Sequence, residues 1–240
     1  MTNTRRAPLL ACRNLHAYYG DSYVLQGVSF DVPAGELFAL LGRNGAGKTT
    51  ALRAVARTEH PSVTRGEILL AGKPINNLRA FEAARHGVSL VPEDRRIIQG
   101  LSVEENLRLA QVEGACGWPL ERIYASFPRL ADRRRQEGVT LSGGEQQMLA
   151  IARALARDIC LLLLDEPYEG LSPQMVTEIE ELVIALKESG LTIVMVEQNA
   201  IAVLRIADRC AILDTGRLVF TGSPAEVLAN ADLCREYLAI

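Results

Sequence analysis

Three short stretches hold the residues of this sequence whose types and spacing could do chemistry. Gly42-Arg43-Asn44-Gly45-Ala46-Gly47-Lys48-Thr49, with Thr50 after it, fits the spacing GxxxxGK[ST] without a mismatch. Glycines let backbone N–H groups wrap phosphate, and a helix beginning at Lys48 adds the partial positive charge of its N-terminus. At this spacing the Lys48 ammonium is expected to reach the β- and γ-phosphates of a nucleotide, and the Thr49 hydroxyl to hold Mg²⁺. An ordinary glycine turn is the alternative. The apolar run before the loop and the helical stretch after it favour the nucleotide.

The second stretch is Asp165-Glu166, closing the apolar run Cys160–Leu164 and followed by Pro167. Two carboxylates at the carboxyl end of a buried strand fall where such sheets usually place their ligand crevice. Asp165 is the expected Mg²⁺ partner, and Glu166 is the candidate for polarising an attacking water. Taken alone the pair could equally be a solvated acidic turn. The third stretch is Leu141-Ser142-Gly143-Gly144-Glu145-Gln146. Ser142 with Glu145 three residues on makes a capping box, and any helix can begin this way. The two glycines add bare backbone N–H groups at a helix N-terminus, a second place for an anion.

The elements that must position these groups alternate along the chain. Strand-like stretches at Ala11–Tyr19 and Tyr23–Val32 precede the short apolar run Leu37–Leu41, which enters the glycine loop. Gly66–Ile75 reads as a hairpin turning at Ala71-Gly72, and Val88–Val91 as a short buried strand. From Ser102 to Arg157 the pattern is mostly helical, with breaks at Gly114-Ala115-Cys116-Gly117 and Gly138. A strand at Ile159–Leu164, a helix at Pro173–Lys187, a strand at Leu191–Val196 and a helix at Ala200–Ala207 follow. Two strands around Gly216 and a helix from Pro224 end the sequence. This order implies an α/β fold with a parallel sheet covered on both faces. Residues 1–240 read as one domain, with a helical subdomain inserted over roughly 100–157.

Composition narrows the class. With 48% apolar and 23% charged residues, the chain has the balance of a soluble globular protein. A net charge of −3 lacks the basic face that nucleic acid requires. Five scattered cysteines without a CxxC pattern read as reduced thiols, and three scattered histidines suggest no protein-built metal site. The longest apolar run, Ile159–Leu164, is far short of the ~20 residues of a membrane helix, so work at a membrane would go through a partner. Arg129 and Arg133-Arg134-Arg135 form a basic cluster, read first as a solvated helix face and second as a dock for an acidic regulator.

Together, the loop at Gly42, the pair at Asp165 and LSGGEQ resemble the ABC ATPase family over essentially the whole chain. The resemblance implies a P-loop core with an antiparallel N-terminal β-subdomain. It implies ATP and Mg²⁺ as cofactors and head-to-tail pairing with a second ATPase subunit, the same or different. In such a pair Ser142, Gly143 and Gly144 serve the neighbour's nucleotide. Tyr19 is the implied adenine-stacking residue, with Tyr18 as the alternative.

Two positions depart from most of the family. Glu93 stands where the Q-loop glutamine is usual; it can face Mg²⁺ and water but adds negative charge unless paired, with Arg95 and Arg96 as candidate partners. Gln198 stands at the switch histidine; it can contact the γ-phosphate but cannot titrate as histidine does. These departures, with VPE-x-RR, SVEENL, FPRL and VEQNA, are similar to the ATPase subunits of branched-chain amino acid importers, the LivF type. The D-loop, Tyr168-Glu169-Gly170-Leu171-Ser172, is bulkier and more charged than that type leads one to expect. The resemblance also implies membrane permeases contacted around Glu93 to Leu101, where Ile97, Ile98 and Leu101 are apolar. A secreted substrate-binding protein acts indirectly, and the location is cytoplasmic, on the inner face of the membrane. An importer for urea, amides or other amino acids is the rival within the family. A rival of another class is a non-transport ABC ATPase acting on nucleic acid or the ribosome.

Overall fold

The computed structural model describes residues 8–111 and 117–238. Its strands are β1 (Pro8–Tyr19), β2 (Ser22–Pro33), β3 (Leu37–Leu41), β4 (Ser62–Leu70), β5 (Lys73–Pro74), β6 (Val88–Val91), β7 (Leu161–Asp165), β8 (Thr192–Val196), β9 (Arg209–Asp214) and β10 (Arg217–Gly222). The helices are α1 (Lys48–Val55), α2 (Ala80–Arg85), α3 (Val103–Ala110), α4 (Leu120–Ser126), α5 (Pro128–Asp132), α6 (Gly143–Leu155), α7 (Pro173–Glu188), α8 (Ala200–Leu204), α9 (Pro224–Leu228) and α10 (Ala231–Leu233).

Six strands form one sheet in the order β10-β9-β3-β8-β7-β6, parallel except for β10. Every residue of β3, β7 and β8 is buried, which is why these segments read as unbroken apolar runs. Alternation still assigns them to two cores. Phe38, Leu40, Leu161 and Leu163 face a core closed by α1 and by the antiparallel sheet β2-β1-β4-β5. Leu37, Ala39, Leu162 and Leu164 face a second core closed by α6, α7 and α8. One cover of the parallel sheet is therefore largely a second sheet.

The elements between 102 and 157 are α3 to α6, joined in part by a 3₁₀ turn at Gly138–Thr140. Of the expected glycine break, Gly114, Ala115 and Cys116 lie outside the described residues. Asn106, fully buried in α3, accepts from the Ile98 N–H at 3.1 Å and donates to the Leu101 carbonyl at 3.1 Å. It thereby pins the segment after β6 to this helical layer. Helix α2 was not expected from the pattern; six residues, of which only Ala83 is buried, give too little period to detect. Cys12, Cys160, Cys210 and Cys234 are free thiols. Among the described residues no helix is long and apolar enough to cross a membrane.

The carboxyl ends of the parallel strands share one edge. The glycine loop leaves β3 there, Glu93 follows β6, Glu166 follows β7 and Gln198 follows β8.

Candidate active site

The glycine loop is held from behind by backbone. Gly42 has φ +140°, and a Cβ there would stand 2.2 Å from the Leu213 carbonyl oxygen, so only glycine fits against β9. The Ala46 carbonyl accepts from the Gly216 N–H at 3.0 Å, and the Gly216 carbonyl accepts from the Gln26 N–H at 2.8 Å. The turn between β9 and β10 thus buttresses the loop. Lys48 opens α1 and is 4% exposed; its ammonium donates to the carbonyls of Gly42 at 2.9 Å and Arg43 at 3.3 Å. Burial pushes its pKa down, while Glu166, Asp165 and Glu197 oppose that shift.

The Thr49 hydroxyl donates to Asp165 Oδ1 at 2.8 Å, joining the start of α1 to the end of β7. Asp165 is 1% exposed, and its Oδ2 has no hydrogen-bond partner among the described residues. Burial raises its pKa despite the Thr49 bond. A hydroxyl, a buried carboxylate with a free oxygen and phosphate oxygens are the hard donors that Mg²⁺ takes, so these residues fit the metal. The described residues hold no cluster of three or more His, Cys, Asp or Glu side chains for a metal of another kind.

Glu166 has φ +47°, and its N–H donates to the Val196 carbonyl at 2.9 Å. Burial raises its carboxyl pKa, with Asp165 and Glu93 adding to the shift and Lys48 opposing it. A pocket of about 480 Å³ brings these groups together. Asn44, Gly45, Gly47, Lys48, Thr49 and Thr50 form one wall; Glu93, Glu166, Glu169 and Gln198 form the other, with Val24 at its margin.

Other expected residues fall elsewhere. Gly42, Arg43 and Ala46 shape the loop but do not line the pocket. Tyr19 does not line it either; it lies half-buried at the end of β1. Tyr18 stacks on Tyr23 at 4.6 Å between ring centroids, which commits that alternative ring to the sheet. Ser142 caps α6: its hydroxyl accepts from the Glu145 N–H at 3.4 Å, and Glu145 Oε2 accepts from the Ser142 N–H at 3.0 Å. Ser142 is exposed, and none of Ser142, Gly143 and Gly144 lines the phosphate-loop pocket. Gly144 is buried, and a Cβ there would come within 2.5 Å of the Met175 side chain.

Neither Arg95 nor Arg96 pairs with Glu93. Arg95 donates to Gln147 at 3.2 Å and to the Glu169 carbonyl at 3.0 Å, and Arg96 pairs with Asp94 at 3.3 Å. Both arginines take φ near +50°, and neither lines the pocket. Glu93 faces Glu169 instead, and burial with that neighbouring carboxylate raises its pKa. Glu169 and Val24 are the pocket residues that sequence reasoning missed; for Glu169 its unusual charge in the D-loop was the available signal, and for Val24 there was none. In the basic cluster, Arg129 pairs with Glu178 at 2.7 Å and Arg133 with Glu145 at 2.9 Å, so internal ion pairs hold these two.

Comparison with known proteins places this geometry in a family. The model of the ABC transporter family matches residues 25–169. The chain is 38% identical to the high-affinity branched-chain amino acid transport ATP-binding protein BraG of Pseudomonas aeruginosa, covering 96% of this chain and 99% of that one. It is 34% identical to a probable branched-chain amino acid transport ATP-binding protein LivF of Archaeoglobus fulgidus (92% and 95%). It is 32% identical to the lipopolysaccharide export ATP-binding protein LptB of Escherichia coli K12 (95% and 96%). Among solved structures, a nucleotide-free ATP-binding cassette of an ABC transporter superposes with a TM-score of 0.82 at 22% identity, over 97% of this chain and 99% of the other. A dimeric bacterial ABC transporter cassette does so with a TM-score of 0.77 at 27% identity, over 90% and 98%. The chain belongs to the ABC transporter family, as an ATP-binding subunit that hydrolyses ATP to power transport.

Proposed function

We propose that this chain is one ABC domain that drives an importer of branched-chain amino acids. The observation that carries the ATPase part is the single pocket joining Lys48, Thr49, Glu166, Glu93 and Gln198 at one sheet edge. The similarity to BraG over nearly the full length of both chains supports the cargo.

In this reading the loop from Gly42 to Thr50 cradles the phosphates, and Tyr19 stacks on adenine. Thr49 and Asp165 would hold Mg²⁺, with Glu93 nearby; the ion neutralises charge on the phosphate oxygens. Glu166 orients the water for in-line attack on the γ-phosphate. Its raised pKa makes it a better proton acceptor near neutral pH than an exposed carboxylate. Gln198 donates its amide to the γ-phosphate. Ser142, Gly143 and Gly144 complete the site of a second ATPase subunit; their position outside this chain's own pocket supports that division. A groove of about 400 Å³ runs past Pro92, Arg95, Ile98, Leu109 and Ala150, with Leu109 65% exposed. It suits a permease segment docking on the inner face of the membrane, with the secreted binding protein acting only through the permeases. Ile97 packs into the core instead, so of the two isoleucines Ile98 is the groove residue.

Reconstitution with the permeases in vesicles tests the reading. ATP-dependent accumulation of labelled leucine, isoleucine or valine is expected, and Glu166→Gln should retain ATP while turnover falls about 100-fold or more. Movement of a urea-like or lipid cargo instead would overturn the amino acid assignment. Undiminished hydrolysis by Glu166→Gln would overturn the role of Glu166.

A further inference from the structure

Four charged side chains are buried among the described residues: Lys48, Glu145, Asp165 and Glu197. The first three have partners and tasks given above. Glu197 has neither a nucleotide to bind nor a cation to pair with. No Lys or Arg forms an ion pair with it among the described residues. Lys48 is near enough only to feel its charge.

Its one hydrogen bond among the described residues is to backbone. Oε1 accepts from the Tyr168 N–H at 2.8 Å, a bond fully removed from solvent. Glu197 itself immediately precedes Gln198 in the chain; the neighbouring N–H groups of Gln198 and Asn199 oppose the effect of burial on its pKa, and Asn199 caps α8. The carboxylate therefore spans two loops. One runs from Glu166 through Tyr168 and Glu169; the other carries Gln198. Both belong to the same wall of the pocket, and the strands feeding them are neighbours, with Asp165 opposite Val196.

Burial of an unpaired carboxylate is unfavourable, and it pushes the Glu197 pKa up to about 7. A neutral amide could satisfy the Tyr168 N–H at less cost. A group that is costly for stability and sits between two site loops is better explained by what it couples than by what it stabilises.

We propose that Glu197 is a positioning residue for ATP hydrolysis: it tethers the Tyr168–Ser172 loop to Gln198, so that drawing Gln198 to the γ-phosphate carries that loop with it. This rests on reading Gln198 as the γ-phosphate contact. Glu197 touches no reacting atom. Its effect is to make two loops move as one.

The test uses the assembled transporter with Glu197→Leu, which keeps bulk and removes the acceptor, and Glu197→Gln, which keeps an acceptor for the Tyr168 N–H. Turnover at saturating ATP should fall about tenfold in the leucine variant, on the scale of one lost buried bond. The KM for ATP should stay within about twofold, because the phosphate loop is untouched. Hydrogen exchange over 168–172 should quicken, while exchange over 42–50 stays as in the wild type. Glu197→Gln should recover turnover to within about threefold. Wild-type turnover in the leucine variant, a parallel rise in KM, or a glutamine variant as slow as the leucine one would each overturn the tether. Should the leucine variant fail to fold, Glu197→Ser, too short to reach Tyr168, repeats the comparison. Full turnover by Gln198→Ala would refute the reading of Gln198 alone, since exchange over 168–172 reports the tether independently.

Discussion

Replacing Asp165 by asparagine should make the nucleotide-free protein more stable while removing most of its response to Mg·ATP. Asp165 is 1% exposed, one oxygen accepts from Thr49, and the other has no partner among the described residues. Burial is the largest influence on its pKa and raises it. A folded-state pKa above the unfolded value means that the charged form costs stability at neutral pH. Asparagine keeps an acceptor for Thr49, exchanging a charged hydrogen bond for a neutral one at a loss of about 1 kcal/mol. It also removes a buried charge, whose effective penalty runs to several kcal/mol, and leaves an orphaned polar atom in either case. The net expectation is a gain of about 1–2 kcal/mol, or ~2–8 °C in melting temperature for a chain of this size. With Mg·ATP at about 100 times its Kd, the wild type should gain about 2.7 kcal/mol. The variant, lacking the proposed metal ligand, should gain about 0.5 kcal/mol or less, so the order of melting temperatures inverts. Scanning calorimetry with and without Mg·ATP reads both effects. A variant that melts below the wild type without nucleotide, or that keeps the full Mg·ATP shift, refutes the reasoning.

Ser142→Arg should cut hydrolysis by the assembled pair about 100-fold or more while leaving ATP affinity of the isolated chain within about twofold; loss of that affinity would show that the signature serves its own chain. Glu197 should give stability a pH slope. Its folded pKa of about 7 stands above an unfolded value of about 4.3, so the folded state binds the proton more tightly. Stability should then fall as pH rises through that window, by up to about 4 kcal/mol. Glu197→Gln should lack this part of the slope, because Asp165 and Glu166 contribute equally to both proteins. Urea unfolding at pH 5, 6, 7 and 8 measures it, and parallel pH curves for the two proteins would contradict it.

Strand–loop–helix order around Gly42, the buried strand before Asp165 and the capping box at Ser142 were all legible, because each is a local pattern of a few residues. β3 and β6 fall where the apolar runs end. What could not be read depends on contacts between distant segments. Arg95 and Arg96 looked like partners for Glu93 by proximity in sequence, but their left-handed backbone sends them to other groups. Glu169 comes to the pocket, and Glu197 to the Tyr168 loop, only because β7 and β8 are adjacent in the sheet, although 26 residues separate the end of β7 from the start of β8. Gly144 shows the opposite limit. The bare N–H that its motif suggested is joined by a packing requirement from Met175 that no motif could reveal.

The backing of the glycine loop has a consequence for how nucleotides are told apart. Gly42 lies against Leu213, and Ala46 and Gly216 are joined by backbone, so that wall of the pocket is a fixed seat. The facing wall stands on two loops linked through one carboxylate. In the reading proposed above, the loop after β3 holds the phosphates that both nucleotides share, with Lys48 reaching the γ-phosphate as well, and the wall that carries Glu166 and Gln198 meets the γ-phosphate alone. Substitutions behind the seat should therefore weaken both nucleotides, whereas substitutions in the facing wall should act mainly on the triphosphate.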